Sequence, residues 1–195
     1  MIAGHNARRH TYEGYRVGAD NTSEMVVLVD EAGNDIGHAL KSEVHTTDTP
    51  LHRAFSIHLF NRAGDVLITR RALGKKTWPG VWTNAVCGHP GPGEETVDAI
   101  IRRASDEIGG EATDIRLVLP DFRYRAVDAS GIVENEICPV YVGILPVDPT
   151  PDPSEVCQWE WISPERLAQA AAATPFAFSP WLVWQLDAWP TPYGY

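Results

Sequence analysis

The sequence predicts a mixed α/β (α+β) domain on three observations. Two strand–turn–strand patterns fill its first half, one strongly periodic helix lies near its middle, and two helices opened by Ser-Pro lie toward its end. Residues 1–20 are polar, contain glycine and have no periodicity, which predicts a disordered N-terminal extension; residues 21–195 then form one domain whose ordered part starts near Glu24. "MVVLVDEAGNDIGHAL" reads as two strands reversing at Gly33-Asn34. "HRAFSIHLFNRAGDVLITRRA" repeats that design around Gly64-Asp65, so antiparallel hairpins are expected in both places. Over residues 95–108, Val97, Ile101, Ala104 and Ile108 recur at helical spacing and Gly109-Gly110 supply a stop. Arg103 and Glu107 flank that apolar stripe four residues apart, while Arg102 and Asp106 point away from it. "IRLVLPDFRYRAV" and "IVENEICPVYVGIL" are the next strand segments, joined by "DASG", and "PVDPTPDPSE" is expected to be a surface connection. "SPERLAQAAAA" and "SPWLVWQLDAW" each begin with a serine suited to the N-cap and a proline at the first helical position.

Composition narrows the function. The 195 residues are 44% hydrophobic and 22% charged, enough apolar content for a core of one domain. A formal net charge of −10 argues against nucleic-acid binding, because a phosphate backbone needs clustered cations. The cations are nevertheless gathered. Twelve of the sixteen lie between Lys41 and Arg125, densest in "ITRRALGKKTW", so a small anion could be held there; a solvated charged loop fits the same composition. Cys87, Cys138 and Cys157 are odd in number with no C-x-x-C pair, so free thiols are expected. No run of 18 apolar residues exists and "MIAGHNARRHTYEGYRVG" lacks a secretory apolar run, so a cytoplasmic protein without a membrane partner is expected.

Several residues carry chemistry. Glu134 and Glu136, two apart on a strand, share a face, and carboxylates brought together in a fold call for a cation; an exposed strand face has the same spacing. His45 and His52 bracket "TTDTPL" and could converge with His89, giving a nitrogen and oxygen site for Mn²⁺, Mg²⁺ or Zn²⁺. Spacing alone leaves their convergence open, and His5, His10, His38 and His58 read as ordinary polar residues. "TNAVCGHPGPGEE" sets a thiol and an imidazole either side of Gly88, which could serve a metal, a reaction or neither.

The strings "HTTDTPLHRAFSIHLFN", "TRRALGKKTWPGVWTNAVCGHP", "PDFRYRA", "SGIVENEICPV" and "PFAFSPW" occur in that order from about Lys41 to Trp181. Together they closely resemble the type I isopentenyl-diphosphate isomerases. The resemblance implies the Nudix fold, a mixed β-sheet sandwiched between α-helices. Against the Nudix hydrolase signature the chain keeps Gly88, Glu94, Arg102, Glu107 and Gly109 in register. It carries Arg103 where hydrolases have a metal-binding glutamate, and Asp106 for the first of their paired glutamates. The resemblance therefore implies an isomerase rather than a hydrolase or a non-enzymatic binding module.

Roles are implied residue by residue. His45, His52, His89, Glu134 and Glu136 match the family's ligands for one divalent metal. Glu107 and the backbone carbonyl of Cys87 match contacts to a second Mg²⁺ that arrives with the substrate diphosphate. Lys41, Arg71, Lys75 and Arg103 match diphosphate-binding side chains. Cys87 and Glu136 match the pair that exchanges protons on opposite faces of the isoprenoid unit, with Tyr124 beside the carboxylate and Trp181 against a carbocation. Apart from the resemblance, Trp181 would read as core and Tyr124 as an ordinary strand residue. No organic cofactor is implied, and a monomer or weak homodimer is expected.

Overall fold

The computed structural model describes residues 24–190 and 192–195; the N-terminal extension expected over residues 1–20 lies outside the described residues. The chain runs β1 (Met25–Val29), β2 (Asp35–Leu40), α1 (Lys41–Val44), β3 (His52–Arg53), β4 (Phe55–Phe60), β5 (Val66–Arg71), β6 (Trp82–Thr83) and β7 (Val86–Gly88). It continues with α2 (Thr96–Ile108), β8 (Thr113–Leu119), β9 (Arg123–Val127), β10 (Val133–Ile137), β11 (Val140–Ile144), β12 (Val156–Ile162), α3 (Pro164–Ala173) and α4 (Pro180–Ala188). Among the described residues no helix is long and apolar enough to cross a membrane.

The strands form two mixed sheets, one ordered β2-β1-β3-β10-β9 and the other built on β12-β5-β4-β11-β8. A parallel pair runs through both. β3 lies beside β10 in the first sheet and β4 beside β11 in the second, and the two pairs are linked where Ala54 N–H donates to Ile137 O at 2.9 Å and Ser56 N–H to Pro139 O at 3.1 Å. Pro139 has no N–H to donate, so the ladder breaks there and "IVENEICPVYVGIL" divides between the sheets. "IRLVLPDFRYRAV" divides likewise at Pro120-Asp121.

The first hairpin forms as expected, with β1 and β2 antiparallel and Gly33 at φ +83 in the turn. The second does not stay paired. β4 and β5 meet only at Phe60 and Val66 and then splay apart. Residues 82–88 fill the gap, with β6 bonded to β5 and β7 bonded to β4. This wedge carries Asn84 and Cys87 into the centre of the molecule. β12, an alternating V-C-Q-W-E-W-I strand along β5, was not anticipated from the sequence beyond the Pro-rich connection.

The second sheet lies between helices. Phe55, Ile57 and Leu59 of β4 pack with Ile100, Ala104 and Ile108 of α2, while Phe60 packs on the other side with Leu167 of α3 and Leu182 of α4. Each such buried side chain contributes about 1.5–3 kcal/mol, and β4 is buried along its whole length. The buried face of α2 is rotated from the expected stripe. Val97 and Ile101 are exposed, whereas Ala99, Ile100, Arg103, Ala104, Glu107 and Ile108 are buried. Turning Arg103 and Glu107 inward, where they pair, displaces the two aliphatic residues to solvent. The helix ends at Gly109 with φ +60; a Cβ there would come within 2.3 Å of Thr150. Ser163 and Ser179 accept hydrogen bonds from Arg166 N–H and Leu182 N–H, the caps expected of α3 and α4.

Candidate active site

A cavity of about 250 Å³ opens where α1, the 75–77 loop, the 83–89 wedge, α2 and β10 meet. Its walls have three characters: a histidine and carboxylate nest, a thiol with aromatic rings, and a basic shelf.

Strand register builds the nest. In the first sheet His52 of β3, Glu136 of β10 and Tyr124 of β9 are direct neighbours across adjacent strands, so all three project from one face, and Glu134 follows two residues away. His45 enters from the end of α1 and His89 from just past β7. One ligand atom each from His45, His52, His89 and Glu136 lie within 4.8 Å of one another, all four residues buried. Glu134 joins through Oε2, 2.9 Å from His45 Nε2, while its Oε1 accepts the Thr77 hydroxyl at 2.7 Å. His52 Nδ1 donates to Pro50 O at 2.9 Å, which leaves the Nε2 lone pair facing inward.

His45 Nε2, His52 Nε2, His89 Nδ1 and Glu134 Oε2 are buried without a hydrogen-bond partner. Buried nitrogens and a carboxylate oxygen left without partners at this nest are costly in an apolar interior and fit a divalent cation. The charge states of Glu136 and His89 agree, while His52 shifts the other way. Burial would raise the Glu136 carboxyl, but the His52 and His89 imidazoles beside it hold it well below the usual carboxylate range. Burial pushes His89 down to about 4 and keeps it neutral, as a lone-pair donor must be. Against the same effect of burial, the Glu136 carboxylate 3.5 Å away raises His52.

Cys87 sits opposite Ser56 in the β7–β4 pairing, with its Sγ 3.2 Å from Ser56 Oγ and donating to Asn84 Oδ1 at 3.3 Å. Burial pushes the thiol up to about 12, so it holds its proton at neutral pH. Trp181, in the first turn of α4, is 2% exposed, and its Nε1 donates to Thr83 Oγ1 at 3.0 Å and Asn84 Oδ1 at 3.2 Å. The Trp78 ring meets it edge-on at 5.3 Å, and the Tyr124 ring centroid lies 5.7 Å away. Burial, together with the Glu136 and Glu134 carboxylates, drives the Tyr124 phenol well above its ordinary value, so it remains a proton donor.

The shelf holds Arg71 and joins Lys41, Lys75 and Arg103 to three acids. Lys41 Nζ pairs with Glu24 at 2.8 Å, Lys75 with Glu155, and Arg103 with Glu107 at 2.5 Å and Glu155 at 3.6 Å. Burial, then the nearby Arg103 charge, lowers the Lys41 ammonium. Burial disfavours the charged guanidinium of Arg103, but Glu107, Glu24 and Glu155 more than offset it and hold the group firmly protonated. Arg71 is held instead by the carbonyls of Thr77 and Trp78, and its guanidinium carbon stands 5.5 Å from the Trp181 ring centroid.

Every residue to which the resemblance gives a role therefore borders this cavity or, for His52, the nest behind it. Sequence reasoning missed Thr77, Asn84, Glu24 and Glu155. Glu155 ends the segment read as surface connection, and Asn84 is a buried amide in a short wedge without periodicity.

Comparison with known proteins accords with this geometry. Residues 50–182 match the NUDIX domain family. The chain is similar in fold to the crystal structures of the DR0079 protein of Deinococcus radiodurans (TM-score 0.59, 24% identity, 77% of this chain and 90% of that one) and of a MutT protein from Methanosarcina mazei (0.56, 18%, 71% and 92%). Both likenesses concern fold alone. It is 63% identical over 162 residues to an isopentenyl-diphosphate Delta-isomerase of Paenarthrobacter aurescens, covering 83% of this chain and 88% of the relative. With those of Corynebacterium glutamicum and Kocuria rhizophila it shares 58% and 56%, over 85% and 84% of this chain and 90% and 91% of the relatives. The chain belongs to the isopentenyl-diphosphate Delta-isomerase family of NUDIX proteins.

Proposed function

We infer that this protein converts isopentenyl diphosphate to dimethylallyl diphosphate, and that Cys87 and Glu136 carry the protons. The observation that supports this reading is the joint presence of a half-buried thiol and a buried carboxylate on one cavity whose other walls are a basic shelf and the Trp181 indole. An isolated alkene is a very weak base. Its protonation gives a tertiary carbocation that water would capture, so the site must be dry and must favour positive charge. One of the two groups adds a proton to the terminal alkene carbon, and the other removes a proton from the carbon next to the diphosphate-bearing one. The double bond thereby shifts without any redox change, and no organic cofactor is required.

The Trp181 ring stabilises the cation by about 2 kcal/mol or more when desolvated, chiefly as charge develops. Its N–H bonds to Thr83 and Asn84 hold the indole at that wall. Tyr124 keeps its phenolic proton and donates toward the Glu136 carboxylate. Lys41, Arg71, Lys75 and Arg103 bind the diphosphate, with Lys41, Lys75 and Arg103 exchanging their present carboxylate partners in part for phosphate oxygens. His45, His52, His89, Glu134 and Glu136 would hold one divalent ion, Mn²⁺, Mg²⁺ or Zn²⁺; when bound it supplies positive charge that fixes the ionised state and orientation of Glu136. Glu107 and the Cys87 carbonyl would meet a second Mg²⁺ that comes with the diphosphate.

Proton NMR of isopentenyl diphosphate in heavy water, with metal present, tests the reading. Wild-type protein should move the alkene and incorporate deuterium, while Cys87→Ala and Glu136→Gln should be folded and inactive. Phosphate release without alkene movement would instead make the protein a hydrolase, an outcome disfavoured by the cation at Arg103. Near-wild-type rates in both variants would overturn the assignment of the two groups.

A further inference from the structure

Behind the thiol lies a line of buried polar groups that the isomerase chemistry does not use. Ser56, His58 and Gln185 are each fully buried. Tyr193, from the C-terminal segment, packs against the α4 face of the second sheet, the face that Ser56 and His58 share. Their hydrogen bonds run head to tail. The Tyr193 hydroxyl donates to His58 Nδ1 at 2.8 Å, His58 Nε2–H donates to Gln185 Oε1 at 2.9 Å, and Gln185 Nε2–H donates to Ser56 Oγ at 2.9 Å. With Gln185 supplying a hydrogen to Ser56, the serine proton is left to the sulfur atoms, Cys87 Sγ at 3.2 Å and Cys138 Sγ at 3.5 Å.

The thiol proton has its own acceptor. Asn84 Nδ2 donates to Ile57 O at 3.1 Å and Val86 O at 2.9 Å, which fixes the amide so that Oδ1 faces Cys87 and Trp181. Cys87 Sγ is thus held between a hydroxyl donor and a carbonyl acceptor, each locked by buried partners. A free thiol has one rotatable bond and weak hydrogen bonding, so little else would define the direction of its S–H.

We propose that Ser56, aligned by the Gln185–His58–Tyr193 chain, is a positioning residue that holds the Cys87 sulfur and keeps a hydroxyl donor on it through the proton exchange. The chain carries no proton from end to end, because the Gln185 amide gives up neither of its N–H hydrogens. It acts by orientation, each donor fixing the acceptor geometry of the next. The C-terminal segment thereby contributes to the reaction along the same face of the sheet that carries the Ser56 and Cys87 side chains. This inference rests on the proposed role of Cys87, and its test leaves Cys87 intact.

Ser56→Ala should lower kcat about tenfold with KM for isopentenyl diphosphate and metal content unchanged, and Tyr193→Phe should lower kcat about threefold, as loss of single buried hydrogen bonds acting on the reacting group. In the double variant the Tyr193→Phe loss should vanish, since without Ser56 the chain no longer reaches sulfur. Losses that multiply, or that track a fall in melting temperature, would mean the line is structural packing only and would overturn the proposal. If Ser56→Ala does not fold, Tyr193→Phe at the far end decides alone, and an unchanged kcat sinks the idea. An inactive wild-type protein would sink the isomerase reading instead.

Discussion

Lowering the pH from about 7 to 4 should remove roughly 3 kcal/mol of folding free energy through His58 alone. Its imidazole is fully buried, and burial lowers its pKa from 6.5 to about 4, only partly opposed by the bond to Gln185. The groups around it are Gln185, Tyr193 and the Trp189 ring at 4.9 Å, none of them a carboxylate able to hold a charged imidazole. The unfolded chain takes up a proton near pH 6.5 and the folded protein only near 4. Between those values the unfolded state is favoured by about 1.4 kcal/mol for each pH unit, so stability is complete above about 6.5 and falls as the pH drops. Urea unfolding of wild type and His58→Gln at half-unit steps isolates the effect, because the metal-site imidazoles titrate equally in both proteins. The variant should be less stable at pH 7 and lose about 3 kcal/mol less on going to pH 4. Parallel stability profiles would refute the account of His58 as a buried, neutral imidazole.

Treatment with a strong chelator should stop isomerisation, and added Mn²⁺ or Mg²⁺ should restore it; full activity in metal-free protein by elemental analysis would contradict the reading of the orphaned histidine nitrogens. Thr77→Val removes the hydroxyl that orients Glu134 and should weaken metal binding about tenfold, measured by competition with a chelating dye, with unchanged affinity as the contrary outcome. Arg103→Met leaves Glu24, Glu107 and Glu155 facing one another without their shared cation. Breaking a buried ionic cluster costs about 3–5 kcal/mol, so this variant should show a lowered melting temperature and a KM raised at least about tenfold. Wild-type values for both would remove Arg103 from the shelf.

Sequence alone determined the parts whose cause is local. Alternating strands with a glycine turn specify the β1–β2 hairpin, helical spacing ended by Gly109 specifies α2, and Ser-Pro specifies the starts of α3 and α4. The ordered string of motifs specified the family. Tertiary structure decided what depends on partners distant in the chain. It opened the expected second hairpin, because residues 82–88 compete for the inner edges of β4 and β5. It turned Arg103 and Glu107 inward at the expense of Val97 and Ile101, because their charges find partners at the shelf and aliphatic side chains tolerate water better than buried charges tolerate isolation. The convergence of His45, His52, His89 and Glu136 required a parallel pairing between strands more than eighty residues apart, and the line from Tyr193 to Cys87 required a tail folded beneath the sheet. Periodicity records which way one element faces its surroundings; it contains no term for which distant element those surroundings will be.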